Sequence, residues 1–577
     1  MKTVLIIIFA VFAFLSATSQ EKIIVDPAMK LSDVSHNPVG LNACWLLSSD
    51  KGYPNRINSF EAAIADMGIG ALRFPFGHLA DNYLWHTGDW SSASNGLKPK
   101  IAAFSEDPSP TQKDRWKQMV NPDGTFINDM DFDEYISICN RQGIEPVIMV
   151  NALSWKYADG PTRGYLIESA KEWVRYANVT NDFGIKYWEI GNEVDLHAKR
   201  GEITQKEYVD FFLEVTEAMK SIDPSIKVGF GLLGFCCKGW YDDILKDHKT
   251  EVDFFVAHSY LNKWKTYEEY RDDLTFNTLK ALNNALNSIR TFAPDEGIEV
   301  LLTEVGPFST GNKWENRNNN LLKALAFFEQ TGRMIRNKEV TYYMHWTSHN
   351  AFGSTSPTTN RFDATALDLE NQVLATGHVH RLWSEHLKQE MVASTLEAGK
   401  LRSFASFDET SNELSLFLLN KDDKPVETEV LLKNYVGSLR HTKWVFTGTS
   451  PMDLAPTIKQ HDEAEISDNT FEITLDPYSV TVISFQEPET IVTGSIPEIS
   501  DGEVIFFPNP ANEYLKIKTK PDLTLSSAKV FDLTGKLMKE SFGNKRSIYV
   551  ADLEKGTYLI KIYFTNRSQL VHRFFIN

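Results

Sequence analysis

Between residues 37 and 350 the sequence alternates short apolar, β-branched runs with stretches of helical periodicity, and it does so eight times. The runs are VGLNACW (39–45), GALRFPFG (70–77), EPVIMVNA (145–152), KYWEIGNE (186–193), KVGFGLL (227–233), VDFFVAHSY (252–260), EVLLTEVG (299–306) and TYYMHWTSH (341–349). Apolar residues are nearly continuous within them, as strands buried on both faces require. Amphipathic helices fill the intervals. Residues 168–178 place Ala170, Trp173, Val174 and Ala177 on one face; Thr204 and Glu207 form a capping-box pair ahead of Tyr208, Phe211, Val215 and Met219; a third helix carries Leu279, Leu282, Leu286 and Ile289. Eight strand–helix units over roughly 300 residues predict a (β/α)8 TIM barrel, here 37–375. A doubly wound open sheet would require a Gly-rich phosphate turn after an early strand, and the sequence has none.

After residue 375 the helical period fades into strand-like runs such as KLRSFASFD, ELSLFLLNK and TFEITLDPYSVTVISF, which predict an antiparallel β-sandwich over 376–487, with room for an N-terminal strand from 20–36. Residues 488–502 lack hydrophobic periodicity and carry Pro488 and Pro497, the composition of a linker, and a small β module follows at 503–577. The first 19 residues combine Lys2, an apolar run from Val4 to Leu15 and the small-residue site Ala17-Thr18-Ser19, a secretory signal peptide too short for a stable membrane span. A net charge of -18 argues against nucleic acid or an anionic membrane surface as partner. The four cysteines, Cys44, Cys139, Cys236 and Cys237, are too few for a disulfide scaffold, lack zinc-ligand spacing and read as buried free thiols.

In a barrel of this kind the working residues lie at the C-terminal strand ends. Those positions hold Asn42 and Trp45, Arg73, Asn151, Asn192 and Glu193, His258 and Tyr260, Glu304, and His345, Trp346 and His349. Glu193 and Glu304, on the fourth and seventh strands, face each other across the mouth. Two carboxylates flanking one bond suit glycoside hydrolysis, one protonated to release the leaving oxygen and one ionised to attack. Arg73 offers a cation and Tyr260 a hydroxyl to hold the ionised partner. Asn151, Asn192 and His258 can hydrogen-bond sugar hydroxyls, and Trp346 gives a flat apolar face for a ring. No carboxylate joins His345 and His349 in a metal-ligand pattern, and the chemistry needs no cofactor. NDMDFDE (128–134) lacks the central Gly of a calcium loop and reads as a helix cap.

FDEYISICNRQGIEPVIMVNA, IKYWEIGNEVD and EYVDFFLEVTEAMKSIDPSIKVGFG resemble the α-L-arabinofuranosidases of glycoside hydrolase family 51, within the clan of retaining (β/α)8 glycosidases. The resemblance implies Glu193 as acid/base after Asn192, Glu304 as nucleophile, Arg73 and Tyr260 steadying it, and a carboxyl separation of about 5–5.5 Å. It implies a polysaccharide or oligosaccharide substrate, with endo-acting hydrolysis of xylan, glucan or agar-type chains as the alternative, and a non-catalytic carbohydrate-binding surface protein as a distant one. The family pattern Arg-x-Pro-Gly-Gly is replaced by RFPFGH, with Phe76 and His78 in place of small or polar residues, and Val305-Gly306 stand where the family has an aromatic and Asn. The C-terminal FFPNPANEYLKI, AKVFDLTGKLM, LEKGTYLIKI and HRFFIN resemble the type A sorting domain of the Bacteroidetes type IX secretion system. That likeness implies the type IX machinery as partner and a secreted or cell-surface location.

Overall fold

The computed structural model describes residues 22–103, 119–237, 239–308, 318–349, 364–395, 397–486 and 504–577, the last with short gaps at 521–522, 524, 534–536, 543–545 and 565–568. The expected signal peptide (1–19) and linker (488–502) lie outside the described residues. Eight parallel strands close into a barrel: β1 (Val39–Asn42), β2 (Ala71–Phe74), β3 (Glu145–Val150), β4 (Tyr187–Ile190), β5 (Lys227–Phe230), β6 (Phe254–Leu261), β7 (Glu299–Pro307) and β8 (Val340–His345). They pair in chain order, β8 returning to β1. Ala71, Val147, Tyr187, Phe254, Val256, Leu301, Tyr342 and Met344 form a separate buried cluster inside the barrel, so the barrel is a packed core rather than a pore.

The helices start where their caps place them. Thr204 and Glu207 make the reciprocal capping box of helix Gln205–Lys220, and Asp131 caps helix Phe132–Gln142 by accepting from the Glu134 backbone. Helix Leu321–Ile335 is buried almost all round, polar side chains such as Glu329 and Gln330 included, because its outer face meets a second sheet instead of solvent.

That second sheet is one continuous hydrogen-bonded path, whose strands share a core. Residues from Lys22–Asp33, Val426–Leu432 and Thr470–Leu475 pack against residues from Leu401–Asp408, Glu413–Asn420 and Ser479–Phe485. Lys22–Asp33 departs from the antiparallel expectation: it pairs antiparallel with Glu390–Ser394 but parallel with Val426–Leu432. Leu401–Asp408, Glu413–Asn420 and Ser479–Phe485 are buried on both faces. One face carries the sandwich core; the other carries Phe404, Phe417, Leu419, Val480 and Val482 into the barrel's core. Trp383, from helix Gly377–His386, sits between Phe328 and Phe417 with ring centroids 4.9 and 4.3 Å away. The C-terminal strands between Val504 and Ile576 form a three- and a four-stranded sheet around their own core.

A buried ionic knot fastens helix Leu321–Ile335 to the sandwich. Glu329 accepts from Arg402 at 2.8 Å, Arg333 at 2.8 Å and the Tyr270 hydroxyl at 3.0 Å, with Lys421 Nζ 3.4 Å away. Replacing Glu329 with Leu leaves Arg402 and Lys421 buried without their counter-charge. The expected loss is about 3–5 kcal/mol in urea unfolding, against under about 1 kcal/mol for removing Lys206 from its exposed pair with Asp210.

Candidate active site

The strand tops converge on Arg73, at the end of β2, which is fully buried. All five of its N–H groups are used. Nε and Nη2 grip Glu189 at 2.9 and 2.6 Å, Nη1 reaches Glu304 at 2.9 Å and Asn42 at 3.0 Å, and Nη2 also reaches Asn192 at 2.9 Å. Glu304 takes its second donor from the Tyr260 hydroxyl. Asn192 spends its carbonyl on Arg73 and keeps its amide nitrogen for another acceptor.

Glu193 reaches the same point by a turn. After β4, Gly191 (φ 75°) and Glu193 (φ 49°) both adopt left-handed backbone; a Cβ on residue 191 would lie 2.7 Å from Val194 and 2.9 Å from Ala152. This swings Glu193 over β6, where His258 Nδ1 lies 2.8 Å from its Oε1 and Thr303 Oγ1 lies 3.0 Å from His258 Nε2. His258 sits opposite Glu304 in the β6–β7 register, its Nδ1 3.5 Å from the Glu304 carboxylate. A carboxylate oxygen from each of Glu193 and Glu304, and a ring nitrogen of His258, all lie within 4.8 Å of one another. Among the described residues this trio and Asp195–Cys236–Cys237 are the groups close enough to hold a metal ion. In the first, the ring and both carboxylates already bond one another or Arg73 and Tyr260.

The two carboxyls differ electrostatically. Burial, then the charge of Asp195, pushes Glu193 up to about 7. Burial and the neighbouring Glu193 charge also raise Glu304, but His258, Arg73 and the Tyr260 hydroxyl oppose them. Burial keeps His258 neutral by lowering its pKa. Burial thus raises both carboxyls, and of the two Glu304 alone accepts from Arg73 and Tyr260.

The remaining expected residues fall as follows. Trp346, half-buried after β8, packs on Phe76 at 4.3 Å beside Glu304. Asn151 closes a local turn: its Oδ1 accepts from Leu153 N, Ser154 N and Ser154 Oγ, and its Nδ2 donates to the Tyr83 carbonyl. Its contacts are those of a turn former. His345 pairs with His380 in the core, and His349 with Asn371. Cys44 and Cys139 are buried thiols, whereas Cys236 and Cys237 are half-buried.

Sequence reasoning missed three features. Gly77 is required by close approach, since a Cβ there would stand 2.3 Å from Glu304 Oε1 and 2.6 Å from the Trp346 ring. Glu189 is the main partner of Arg73. His78, His197 and Glu202 form a chain beside the two carboxylates. RFPFGH and EVDLH hold the first two of those histidines in plain view, but nothing in the sequence joins them.

Comparison with known proteins divides the chain. Residues 505–577 match the family model described as "Secretion system C-terminal sorting domain". The chain is similar to "Probable alpha-L-arabinofuranosidase C" of Aspergillus fumigatus, 25% identical over 197 residues, which are 32% of this chain and 33% of that protein. The chain thus spans about a third of the length of the curated relatives it matches. Among solved structures, the family 51 α-L-arabinofuranosidase of Thermotoga petrophila RKU-1 superposes with a TM-score of 0.61 at 20% identity, covering 81% of this chain and 100% of that one. A bifunctional glucanase–xylanase from a metagenome library superposes at 0.55 with 13% identity, covering 81% and 99%. Barrel and sandwich together therefore share the fold of family 51 arabinofuranosidases. No helix among the described residues is long and apolar enough to cross a membrane.

The raised Glu193 carboxyl costs stability as pH rises. Its folded value, about 7, lies above the ordinary 4.5. Above pH 4.5 the unfolded chain releases this proton while the folded chain keeps it, so folding loses stability until about pH 7. Glu193→Gln is expected to stabilise the protein by up to about 3 kcal/mol above pH 7 and to confer no such gain below pH 4.5, in urea unfolding across pH.

Proposed function

We propose that this chain is a secreted retaining glycoside hydrolase, α-L-arabinofuranosidase-like, that cleaves O-glycosidic bonds of plant or algal polysaccharides by double displacement. The observation that carries this is the pairing of Glu193 and Glu304. One oxygen of each lies within 4.8 Å of the other, close enough for both carboxyls to act on one glycosidic bond, which supports the paired roles of nucleophile and acid/base. Glu193, which holds its proton near neutrality, protonates the glycosidic oxygen. Glu304, aligned by Arg73 and Tyr260, attacks the anomeric carbon. The leaving alcohol departs, Glu193 takes a proton from water, and the water oxygen releases the sugar from Glu304. Asn192 and Trp346 contact the sugar, the amide through a hydroxyl and the indole through a ring face. Asn151 contributes by shaping the β3 turn. The names of the arabinofuranosidase relatives support the substrate class. The glucanase–xylanase neighbour keeps endo-acting hydrolysis as the second reading.

The sorting-domain match supports export. On this proposal the N-terminal signal directs the chain through the inner membrane, and the type IX machinery carries it across the outer membrane by its C-terminal module to the cell surface or medium. The working units are then the barrel at 37–375, the sandwich at 376–487 joined by the 20–36 strand, the linker and the 503–577 module.

Three measurements test the mechanism. Glu304→Ala is expected to lose roughly a thousandfold or more in kcat on aryl glycosides, and azide should restore turnover as a glycosyl azide of inverted configuration. Wild-type product followed by NMR should retain configuration; an inverted first product refutes the assignment. The rate kcat/KM should fall as pH rises through about 7, as Glu193 loses its proton, and Asp195→Asn should move that limb to lower pH by removing the charge that most raises Glu193. An unmoved limb would detach it from Glu193.

A further inference from the structure

Asp195 is a buried carboxylate met only by neutral donors. It lies in the first turn of helix Val194–Lys199, fully shielded from solvent. Its Oδ1 accepts from the Leu233 amide at 2.7 Å, and its Oδ2 from the Gly234 amide at 3.2 Å and the Cys236 thiol at 3.0 Å. Among the described residues no lysine, arginine or histidine forms an ion pair with it. Glu189, Glu304 and Glu329, also buried, each face an arginine. A buried negative charge without a counter-ion favours a cation beside it.

The loop after β5 brings two sulfurs to this carboxylate. Gly234 turns the loop with a left-handed backbone (φ 87°), and a Cβ there would lie 2.4 Å from the Tyr241 hydroxyl. Cys236 and Cys237 follow, half-buried and so within reach of solvent. Cys237 Sγ lies 3.7 Å from the Asp195 carbonyl oxygen. A carboxylate oxygen of Asp195 and the two sulfurs all lie within 4.8 Å of one another. Around a tetrahedral ion with bonds of about 2.3 Å to sulfur and about 2.0–2.2 Å to oxygen, ligand atoms stand roughly 3.5–3.8 Å apart. The Asp195–Cys236 contact therefore has to open by only about half an ångström. Burial, then the bond to Asp195, pushes the Cys236 thiol up. An ion that takes the place of thiol protons here needs strong affinity for thiolate, which Zn2+ and Cd2+ have and the oxygen-seeking Mg2+ and Ca2+ lack.

We propose that Asp195, Cys236 and Cys237 form a binding site for one thiophilic divalent cation of the zinc class. The cation bonds both sulfurs and one Asp195 oxygen, the two thiol protons pass to solvent, and the buried carboxylate gains a counter-charge. Asp195 comes from helix Val194–Lys199 and the cysteines from the loop after β5, so the cation ties the two elements together. The other close trio, Glu193, His258 and Glu304, offers no sulfur, and its members already bond one another or Arg73 and Tyr260. The site therefore does not rest on the hydrolase reading above.

Cd2+ is the probe, because its bonds to thiolate absorb in the ultraviolet. Titrated into the reduced full chain, it should raise a sulfur-to-cadmium charge-transfer band that saturates at one equivalent. Zn2+ should remove the band by competition, and roughly a hundredfold excess of Mg2+ or Ca2+ should not. Cys236→Ser and Cys237→Ser should each weaken Cd2+ binding by more than about a hundredfold, beyond the loss that follows when only a ligand's neighbour is changed. Serine at 236 keeps a donor for Asp195, so the fold should survive, which circular dichroism checks. Asp195→Asn should keep the band and weaken binding at least about tenfold. Cys44→Ala, Cys139→Ala and Glu304→Gln should each leave the titration unchanged. Three results overturn the site: no charge-transfer band with the wild type, a band that persists when Cys236 and Cys237 are both serine, or displacement of Cd2+ by Mg2+ or Ca2+. None of these readouts depends on turnover, so loss of the site leaves the hydrolase reading standing.

Discussion

A buried guanidinium can persist only if its charge and all five donors are met, and in this barrel that requirement organises the mouth. Arg73 draws Asn42 from β1, Glu189 and Asn192 from the β4 arm and Glu304 from β7 onto one plane. The distribution is unequal. Glu189 takes the two-pronged grip and most of the positive charge, which leaves one N–H for Glu304. One cation thus faces two carboxylates before Glu193 is counted. Glu193 stands outside this grip: burial and the Asp195 charge raise its carboxyl, while Arg73 pulls it down. The arrangement that orients the proposed nucleophile therefore leaves the acid strength of its neighbour to burial and Asp195.

The rest of the fold serves to hold this plane still. Glu193 and Glu304 come from opposite strands, so their separation is set by barrel closure and by the left-handed turn through Gly191 and Glu193, not by local flexibility. Helix Leu321–Ile335, which follows the Glu304 strand, is clamped from behind by the sandwich through the Glu329 knot. Gln330 on the same helix reaches back to the Gly306 amide at 3.1 Å and the Ser259 carbonyl at 2.7 Å, tying β7 to β6 just above the site. The sandwich therefore bears on the catalytic geometry without contributing a residue to it.

What could be read from the sequence follows from what periodicity encodes. Eight buried strands announce themselves because both faces are apolar, and strand ends can then be named without knowing any contact. The likeness to solved arabinofuranosidases and the closed barrel agree with that reading. Sheet pairing is different: nothing in KIIVDPAMKLSD says that it runs parallel to Val426–Leu432, some 400 residues away. The same limit applies inside the site. Arg73 is legible as a cation near Glu304, yet nothing in the sequence joins it to its stronger partner Glu189. Asn151 sat at a strand end like Asn192, and only the loop geometry shows its oxygen spent on Ser154. Gly77 is required by the approach of Trp346 and Glu304, a contact that no local pattern carries.

The helix Val194–Lys199 shows why reaction class and sugar preference differ in legibility. Glu193 opens it. Asp195 in its first turn raises the Glu193 carboxyl and accepts the Leu233 and Gly234 amides at 2.7 and 3.2 Å. His197, two residues on, faces His78 instead. One short helix thus joins the residue that raises the Glu193 carboxyl to a ring that pairs with the β2 loop, and a shift of the helix moves both. Acid strength depends on burial and on a neighbour two residues away in sequence. The ring contact spans 119 residues of chain and is made only because the β2 loop brings His78 to it. Barrel strands are interchangeable among enzymes of one chemistry; the loops that top them are where chains of one fold come to differ.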